Sequence, residues 1–215
     1  MGGGREHRGH THERGTTTTD TTDAAAAHQQ PDVPRTDPTS AAAAPAAAEA
    51  TPADMTAAYK AAFRGHPAGV AVITAEGLDG PTGLTASSVA SVAVDPPVLV
   101  FSLSTNSGSA GVVLGAPVFV VHLMDARGVA LAKRFASTGS PAADDPIWDR
   151  LPSGDRYLPD AASALRCRPL STTPIGSSTV VVAEVLDIVV GTDRGEPLVY
   201  HNREFHSLTD RSRLS

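Results

Sequence analysis

The segment from His66 to Pro97 constrains this chain more than any other. It runs His66-Pro67-Ala68-Gly69-Val70-Ala71-Val72-Ile73-Thr74 and then, after a short connection, Thr82-Gly83-Leu84-Thr85-Ala86-Ser87-Ser88-Val89-Ala90-Ser91-Val92-Ala93-Val94-Asp95-Pro96-Pro97. Val70, Val72 and Ile73 are β-branched and apolar, and the connection over 76–83 carries Gly, Asp and Pro, so the pattern predicts strand, turn and strand in one sheet. In the second half Thr85, Ser87, Ser88 and Ser91 sit among Leu84, Val89, Val92 and Val94. That is more hydroxyl than a dry core strand carries, and a buried hydroxyl costs free energy unless it finds a partner. Either neighbouring backbone groups or a polar ligand lying across the strand end would satisfy it.

No Leu, Ile, Phe, Trp or Tyr precedes Tyr59, while Ala, Thr, Pro and Gly dominate the region before it. Such a segment buries too little apolar surface to offset the entropy of ordering the chain, so residues 1–50 are expected to be a disordered tail. His7, His10 and His12 belong to it, and nothing there preorganises them as metal ligands, which favours a solvated tail over a metal site. Residues 51–208 suffice for one globular domain, followed by a short C-terminal tail over 209–215.

The formal net charge of -6 comes mostly from the acidic residues before Tyr59, leaving the folded part near neutral and without a basic stripe for nucleic acid. One cysteine, Cys167, excludes an internal disulfide framework and fits a reducing compartment. No apolar run approaches the roughly 18 residues of a membrane span and no leader-like segment opens the chain, so no membrane association and a cytoplasmic location are expected.

Thr51-Pro52-Ala53-Asp54 supplies an N-cap, a proline at the first helical position and an acid in the first turn, and Met55, Tyr59, Ala62 and Phe63 recur at helical spacing; a helix is predicted over 52–64. The run over 97–103 reads as a buried strand opening into the polar loop Ser104-Thr105-Asn106-Ser107-Gly108-Ser109 and a short helix ending near Leu114. A strand over 117–124 and an amphipathic helix over 128–135 follow. Residues 137–160 form a long excursion anchored by Trp148 and Tyr157, and three further strands are predicted over 164–170, 178–190 and 197–205. Many strands with few helices favour a barrel, which removes exposed sheet edges by closure.

On these words the chain resembles the flavin reductase-like family, whose FMN-binding split barrel opens with a helix, a PxGVxVxT strand and GxTxSSxxSVSxxPP. Here the words are Pro67 to Thr74 and Gly83 to Pro97, with Phe135-Ala136, Leu165-Arg166-Cys167 and Pro197-Leu198-Val199-Tyr200-His201 agreeing later in the same order. The resemblance spans roughly residues 55–208. It implies a mainly β fold with peripheral helices, a split β-barrel, in a homodimer with the flavin sites at the subunit interface.

The resemblance also implies site residues. Thr85, Ala86, Ser87 and Ser88 match the segment lining the ribityl chain and ring edge, Pro67 and Ala68 the loop beside it, and Ser107 and Ser109 the hydroxyl-rich loop that contacts the phosphate. Taken without the family, the same hydroxyls read as strand hydroxyls paired within the sheet and as an ordinary helix cap. No basic residue stands between Ser102 and Ala126, so the phosphate would rely on neutral donors or on Lys133 or Arg134 from the following helix. The chain also departs from the family. Gly176-Ser177-Ser178 stands where Gly-Asp-His is usual, with the imidazole on the nicotinamide side of the ring, and Gly128 stands where Gln is common. His122 replaces a common Asn, which makes it the one candidate catalytic residue if it faces the cofactor; a lone strand histidine is otherwise structural. His66, His201 and His206 are read as packing or loop residues, and Cys167 as core.

The activity implied is hydride transfer from NADH or NADPH to FMN (or FAD), with the reduced flavin serving a separate flavin-dependent monooxygenase. Such chemistry needs stacking and orientation more than an acid–base triad. The absence of a Gly-x-Ser-x-Gly elbow, a Walker loop, a Gly-x-Gly-x-x-Gly fingerprint and a Cys-x-x-Cys pair leaves no competing catalytic class. Two alternatives stand beside it: an FMN-binding split-barrel flavoprotein without NAD(P)H reductase activity, favoured by Ser178, and an interaction protein that has lost the cofactor.

Overall fold

The computed structural model describes residues 51–104, 108–137, 141–192 and 195–214. The tail over 1–50, and with it the three tail histidines, lies outside the described residues, as does Ser107. All that follows concerns the unit Glu49–Ser215.

Helix α1 covers Pro52–Arg64 and starts as the sequence dictates. The Thr51 hydroxyl accepts the Asp54 N–H at 3.2 Å while the Asp54 carboxylate accepts the Thr51 N–H at 3.1 Å, a reciprocal capping box with Pro52 in the first turn. Its apolar stripe, however, covers nothing: Met55, Tyr59 and Phe63 are each about 60% exposed. The 3.6-residue spacing correctly gives a helix, and the partner for its apolar face is not in this chain's own described residues.

Strands β1 (Ala68–Gly69), β2 (Ala71–Gly77) and β3 (Gly80–Ala86) follow, then β4 (Ala90–Val94) and β5 (Pro97–Leu103). The short helix α2 (Gly108–Gly115) leads to β6 (Phe119–Leu123), and α3 (Val129–Ala136) follows a 3₁₀ turn at Ala126–Gly128. A small hairpin, β7 (Asp149–Arg150) with β8 (Arg156–Tyr157), lies in the predicted excursion. Long antiparallel strands β9 (Ser163–Ile175) and β10 (Ser178–Val190) come next, and β11 (Leu198–His201) and β12 (Glu204–Ser207) end the strand list.

Seven strands form one sheet in the order β3-β2-β6-β9-β10-β5-β4. The first and last of them are joined by only three residues, Ser87, Ser88 and Val89. Laid flat, seven strands would separate the two edges by about 29 Å, from spacings near 4.8 Å. A chain running from Ala86 to Ala90 reaches roughly 14 Å at full extension. The sheet therefore has to curl until its edges approach, and this is the split barrel: curled, with no ladder between β3 and β4 among the described residues. The Ser88 hydroxyl ties the link to β5, donating to the Ser102 carbonyl at 3.0 Å and accepting the Ser102 N–H at 3.1 Å.

Alternate residues of the curled sheet fill the interior. Ala71 and Ile73 of β2, Leu99 and Phe101 of β5, Phe119 and Val121 of β6, Cys167 of β9 and Val181 and Ala183 of β10 form one buried cluster, closed at one end by Ala110 and Val113 of α2. Phe101 and Phe119 meet edge to face, centroids 5.4 Å apart. The opposite face of β2 is buried too: Val70 and Val72 pack with Met124, with Ala132 and Phe135 of α3, and with Leu158, Ala161 and Leu198. β2 is thus covered on both sides, which is why its sequence is a continuous apolar run rather than an alternating one. Gly83 lets α3 approach: a Cβ there would stand 2.8 Å from the Ile73 carbonyl oxygen and 2.9 Å from the Phe135 ring.

Two sequence expectations change. The strand predicted over 197–205 is a hairpin, β11 with β12, turning at Asn202-Arg203, and β1 adds to it to make a three-stranded sheet. The segment after Gly83, read as one strand, divides into β3 and β4 at opposite edges of the seven-stranded sheet. The split is not visible in a period-two pattern, because Ser87-Ser88-Val89 continues the alternation.

Candidate functional site

Two adjoining concavities open where β1, the end of β3, α3 and the β11–β12 hairpin converge. The first, about 420 Å³, is lined among the described residues by Val70, Thr85, Ala86, Ser87, Lys133, Ala136, Ser137, Tyr200, Arg203 and Phe205. The second, about 820 Å³, runs under α1 and takes Lys60, Arg64, His66, Pro67, Ala68, Ser87, Ser88, Tyr200, His201 and Arg203 among its walls. Ser87, Tyr200 and Arg203 belong to both. Both volumes lie in the range of small-molecule sites, and neither wall includes a carboxylate among the described residues.

The walls divide by chemistry. Tyr200 and Phe205, with ring centroids 5.1 Å apart, give an aromatic side. Thr85, Ser87 and Ser137 give hydroxyls, and Lys133 and Arg203 give positive charge. Thr85 donates to the Ala132 carbonyl of α3 at 2.6 Å, which fixes its rotamer and leaves oxygen lone pairs to accept from a ligand. The Lys133 ammonium stands 5.8 Å from the centroid of the Phe205 ring. Of the two cations considered for a phosphate on α3, Lys133 faces the cleft, whereas Arg134 is paired with Asp145 at 2.7 Å and lines neither concavity. Arg203 was not foreseen, because only the hairpin turn brings it there.

The structure thus brings Pro67, Ala68, Thr85, Ala86, Ser87 and Ser88 to one cleft. Ser109 is elsewhere: its hydroxyl is 2.8 Å from that of Thr82 and it lines neither concavity. Gly176 and Ser177 form the turn between β9 and β10, with Gly176 at φ 57°, and neither they nor Ser178 line the cleft.

His122 does not face the cleft, and its candidate catalytic role gives way to a structural one. The ring is 0% exposed on β6. Its Nε2 accepts the Leu158 N–H at 3.0 Å, which places the proton on Nδ1, and Nδ1–H donates to the Val72 carbonyl at 3.0 Å. Burial pushes its pKa down to about 4, against the opposing effect of the Val72 bond, so the imidazole is neutral. It ties β6 to β2 and to the end of the β8 segment. Cys167 is likewise core: burial pushes its thiol up to about 12.

One polar cluster that the sequence reading missed lies between the start of α3 and the segment entering β11. Asp125, 2% exposed, accepts the Arg127 N–H at 3.0 Å, the Arg127 guanidinium at 2.6 Å and the Gly195 N–H at 2.8 Å. The Arg127 hydrogen bond holds its carboxyl below the usual carboxylate range, against the cost of burial. This anchors the segment entering β11 against the start of α3. The only sequence sign of it is Asp125-Ala126-Arg127 ahead of a helix, an N-cap pattern.

The family model of the flavin reductase like domain matches residues 63–209. The chain belongs to this family. It is 33% identical over 194 residues to an NADH:FMN oxidoreductase of Rhodococcus qingshengii, covering 88% of this chain and 97% of that one. It is 31% identical over 151 residues to the reductase component of an FADH(2)-dependent resorcinol hydroxylase of Rhizobium sp., covering 68% and 84%. A crystal structure of a flavin reductase domain protein from Arthrobacter sp. FB24 superposes with a TM-score of 0.66 at 32% identity, covering 72% of this chain and 96% of that one. The mainly β split barrel with peripheral helices is the fold of these flavin reductases. Among the described residues no helix is long and apolar enough to cross a membrane.

Proposed function

We propose that this chain is an NADH-dependent flavin reductase that reduces FMN and supplies it to a separate flavin-dependent monooxygenase. As a flavin reductase-like protein it is an oxidoreductase; FMN over FAD, and NADH over NADPH, are our choices, supported by the activity named for the Rhodococcus relative. The monooxygenase partner is supported by the resorcinol hydroxylase reductase component. The observation that carries the reading is the cleft itself: aromatic, hydroxyl-bearing and cationic walls without a carboxylate among the described residues, assembled in part from the segment that matches the family.

Those walls suit a flavin nucleotide. Bound flavin supplies the hydride-accepting ring. Thr85 and Ser87 offer hydrogen bonds to its polar edge and ribityl chain, Tyr200 and Phe205 an apolar flank, and Lys133 and Arg203 charge for a phosphate. Pro67, Ala68 and Ser88 border the wider concavity, which would take the nicotinamide. No titratable core residue is required, and neither His122 nor Cys167 reaches the cleft. Ser109, hydrogen-bonded to Thr82 and outside both concavities, has no part in this reading.

A homodimer belongs to the same proposal. Met55, Tyr59 and Phe63 of α1, Val92 and Val94 of β4, and Ile188 and Val190 of β10 are all exposed. An apolar edge strand left open in water is an aggregation hazard, and a second copy covering it removes the hazard. Sedimentation should give a dimer, and Val94→Lys should weaken it; a monomeric wild-type chain would refute it.

The test of the activity is anaerobic mixing of purified protein with FMN and NADH. Rapid, protein-dependent loss of oxidised-flavin absorbance is expected. Tight FMN binding without bleaching by NADH or NADPH would instead favour a flavoprotein without reductase activity.

A further inference from the structure

The β11–β12 hairpin turns in two residues, Asn202 and Arg203, with φ 51° and 68°, and His201 paired to Glu204. A two-residue loop with both central residues at positive φ is the primed turn that matches strand twist, and its second position favours glycine. Asparagine tolerates this region, whereas an arginine there is strained. The turn is held in place: the Asn202 N–H donates to the Arg64 carbonyl at the end of α1 at 3.0 Å, and β1 pairs with β11 through Ala68 and Tyr200.

Among the described residues, Arg203 also lacks the carboxylate partner that five other arginines have. Arg127, Arg134, Arg156, Arg166 and Arg168 each pair with a carboxylate. Arg203 makes no hydrogen bond or ion pair among the described residues, and it lines both concavities. Lys60, Arg64 and Lys133 stand around the same two concavities, also without a carboxylate partner among the described residues. The result is a guanidinium in a strained turn, at the junction of two cavities that are free of carboxylates among the described residues.

We propose that Arg203 is an anion-binding residue, kept in an unfavourable turn position because its guanidinium takes the phosphate or pyrophosphate of the nucleotide entering the cleft. The proposal deepens the flavin reductase reading and names the group recognised. The planar fork of arginine matches a phosphate bidentately, which lysine does not. Two sources share this chemistry, the flavin phosphate and the dinucleotide pyrophosphate.

The experiment compares wild type with Arg203→Gly and Arg203→Lys, measuring thermal stability and titrating FMN, riboflavin, NADH and inorganic pyrophosphate. Arg203→Gly should raise Tm by about 2 °C, because glycine relieves the strained φ. It should also weaken nucleotide binding about tenfold. Arg203→Lys should keep the lower Tm and recover only part of the affinity. If FMN weakens while riboflavin does not, the flavin phosphate is the ligand; if only NADH weakens, it is the dinucleotide pyrophosphate. A gain in Tm with every affinity unchanged would overturn the proposal, and so would a fall in Tm with Arg203→Gly. A wild-type chain that binds no flavin would sink the functional reading alone. Pyrophosphate then decides this one: binding lost in Arg203→Gly supports it, and equal binding by both proteins overturns it.

Discussion

The layer beneath α3 and the mouth of the cleft beside it hold polar side chains of similar chemical ability, and the fold treats them in opposite ways. In the layer, His122 spends both ring nitrogens on backbone groups of Val72 and Leu158 and is sealed from solvent. At the mouth, Ser87, Lys133 and Arg203 face a concavity without a carboxylate among the described residues. A polar group whose partners are all internal holds the fold together. One kept in a concavity without a partner, in Arg203's case in a strained turn, is available to a ligand.

Removing the imidazole tests the sealed side most severely. His122→Leu leaves the Leu158 N–H without a partner in a buried site, which costs about 1–3 kcal/mol, and removes the side-chain bond to the Val72 carbonyl, which adds about 1 kcal/mol. We expect denaturant midpoints to report a destabilisation of about 3 kcal/mol. Turnover per folded molecule should be little changed. Full stability with lost turnover would return His122 to the cleft.

The pH dependence should follow the same division. The neutral imidazole is preferred in the folded state, with its pKa near 4 against 6.5 when unfolded. Its contribution is therefore complete above pH 6.5 and is lost as pH falls towards about 4, where both states bind the proton. This amounts to about 3 kcal/mol over that window. His122→Gln should flatten stability there, while losses from carboxylates held low, such as Asp125, should persist at lower pH. An unchanged profile would mean that another group titrates.

Ser88 lies on the boundary between the two regions, since it lines the wider concavity yet uses its hydroxyl on both backbone groups of Ser102. Ser88→Ala should cost about 1 kcal/mol of stability. FMN affinity should hold; lost affinity at unchanged stability would place Ser88 among the ligand-facing residues. The smallest effect is expected from Lys133→Ala. An exposed cation contributes about 0.2–1 kcal/mol, so FMN affinity should fall by roughly two- to fivefold, with riboflavin unaffected and stability unmoved. Equal weakening of both ligands would assign Lys133 to packing on Phe205 rather than to charge.

Much of this was legible in the chain. The cap at Thr51-Pro52-Ala53-Asp54 placed α1, and the strand over 178–190 coincides with β10, because both depend on local propensity and spacing. The words from Pro67 to Ser88 identified the cleft-lining segment before its walls were visible. What sequence reading could not resolve were properties that arise between distant residues. In the sequence, Thr85 and His122 each admit a cofactor-facing reading and a structural one. Only the packing of α3 and of the segment after β8 shows that Thr85 borders the cleft with lone pairs to spare, while His122 is enclosed.

Determined by the sequence alone were most of the elements, the hydroxyl-rich segment and the family, since these follow from periodicity, turn chemistry and word order within short windows. The tertiary structure decided that a three-residue link must curl seven strands into a split barrel. It also decided that the 197–205 segment doubles back at Asn202-Arg203. That turn carries Arg203, more than 110 residues beyond Thr85, to the same cleft. Ligand-facing chemistry depends on which distant groups meet and which keep an unspent hydrogen-bonding capacity, and only the closed fold determines that accounting.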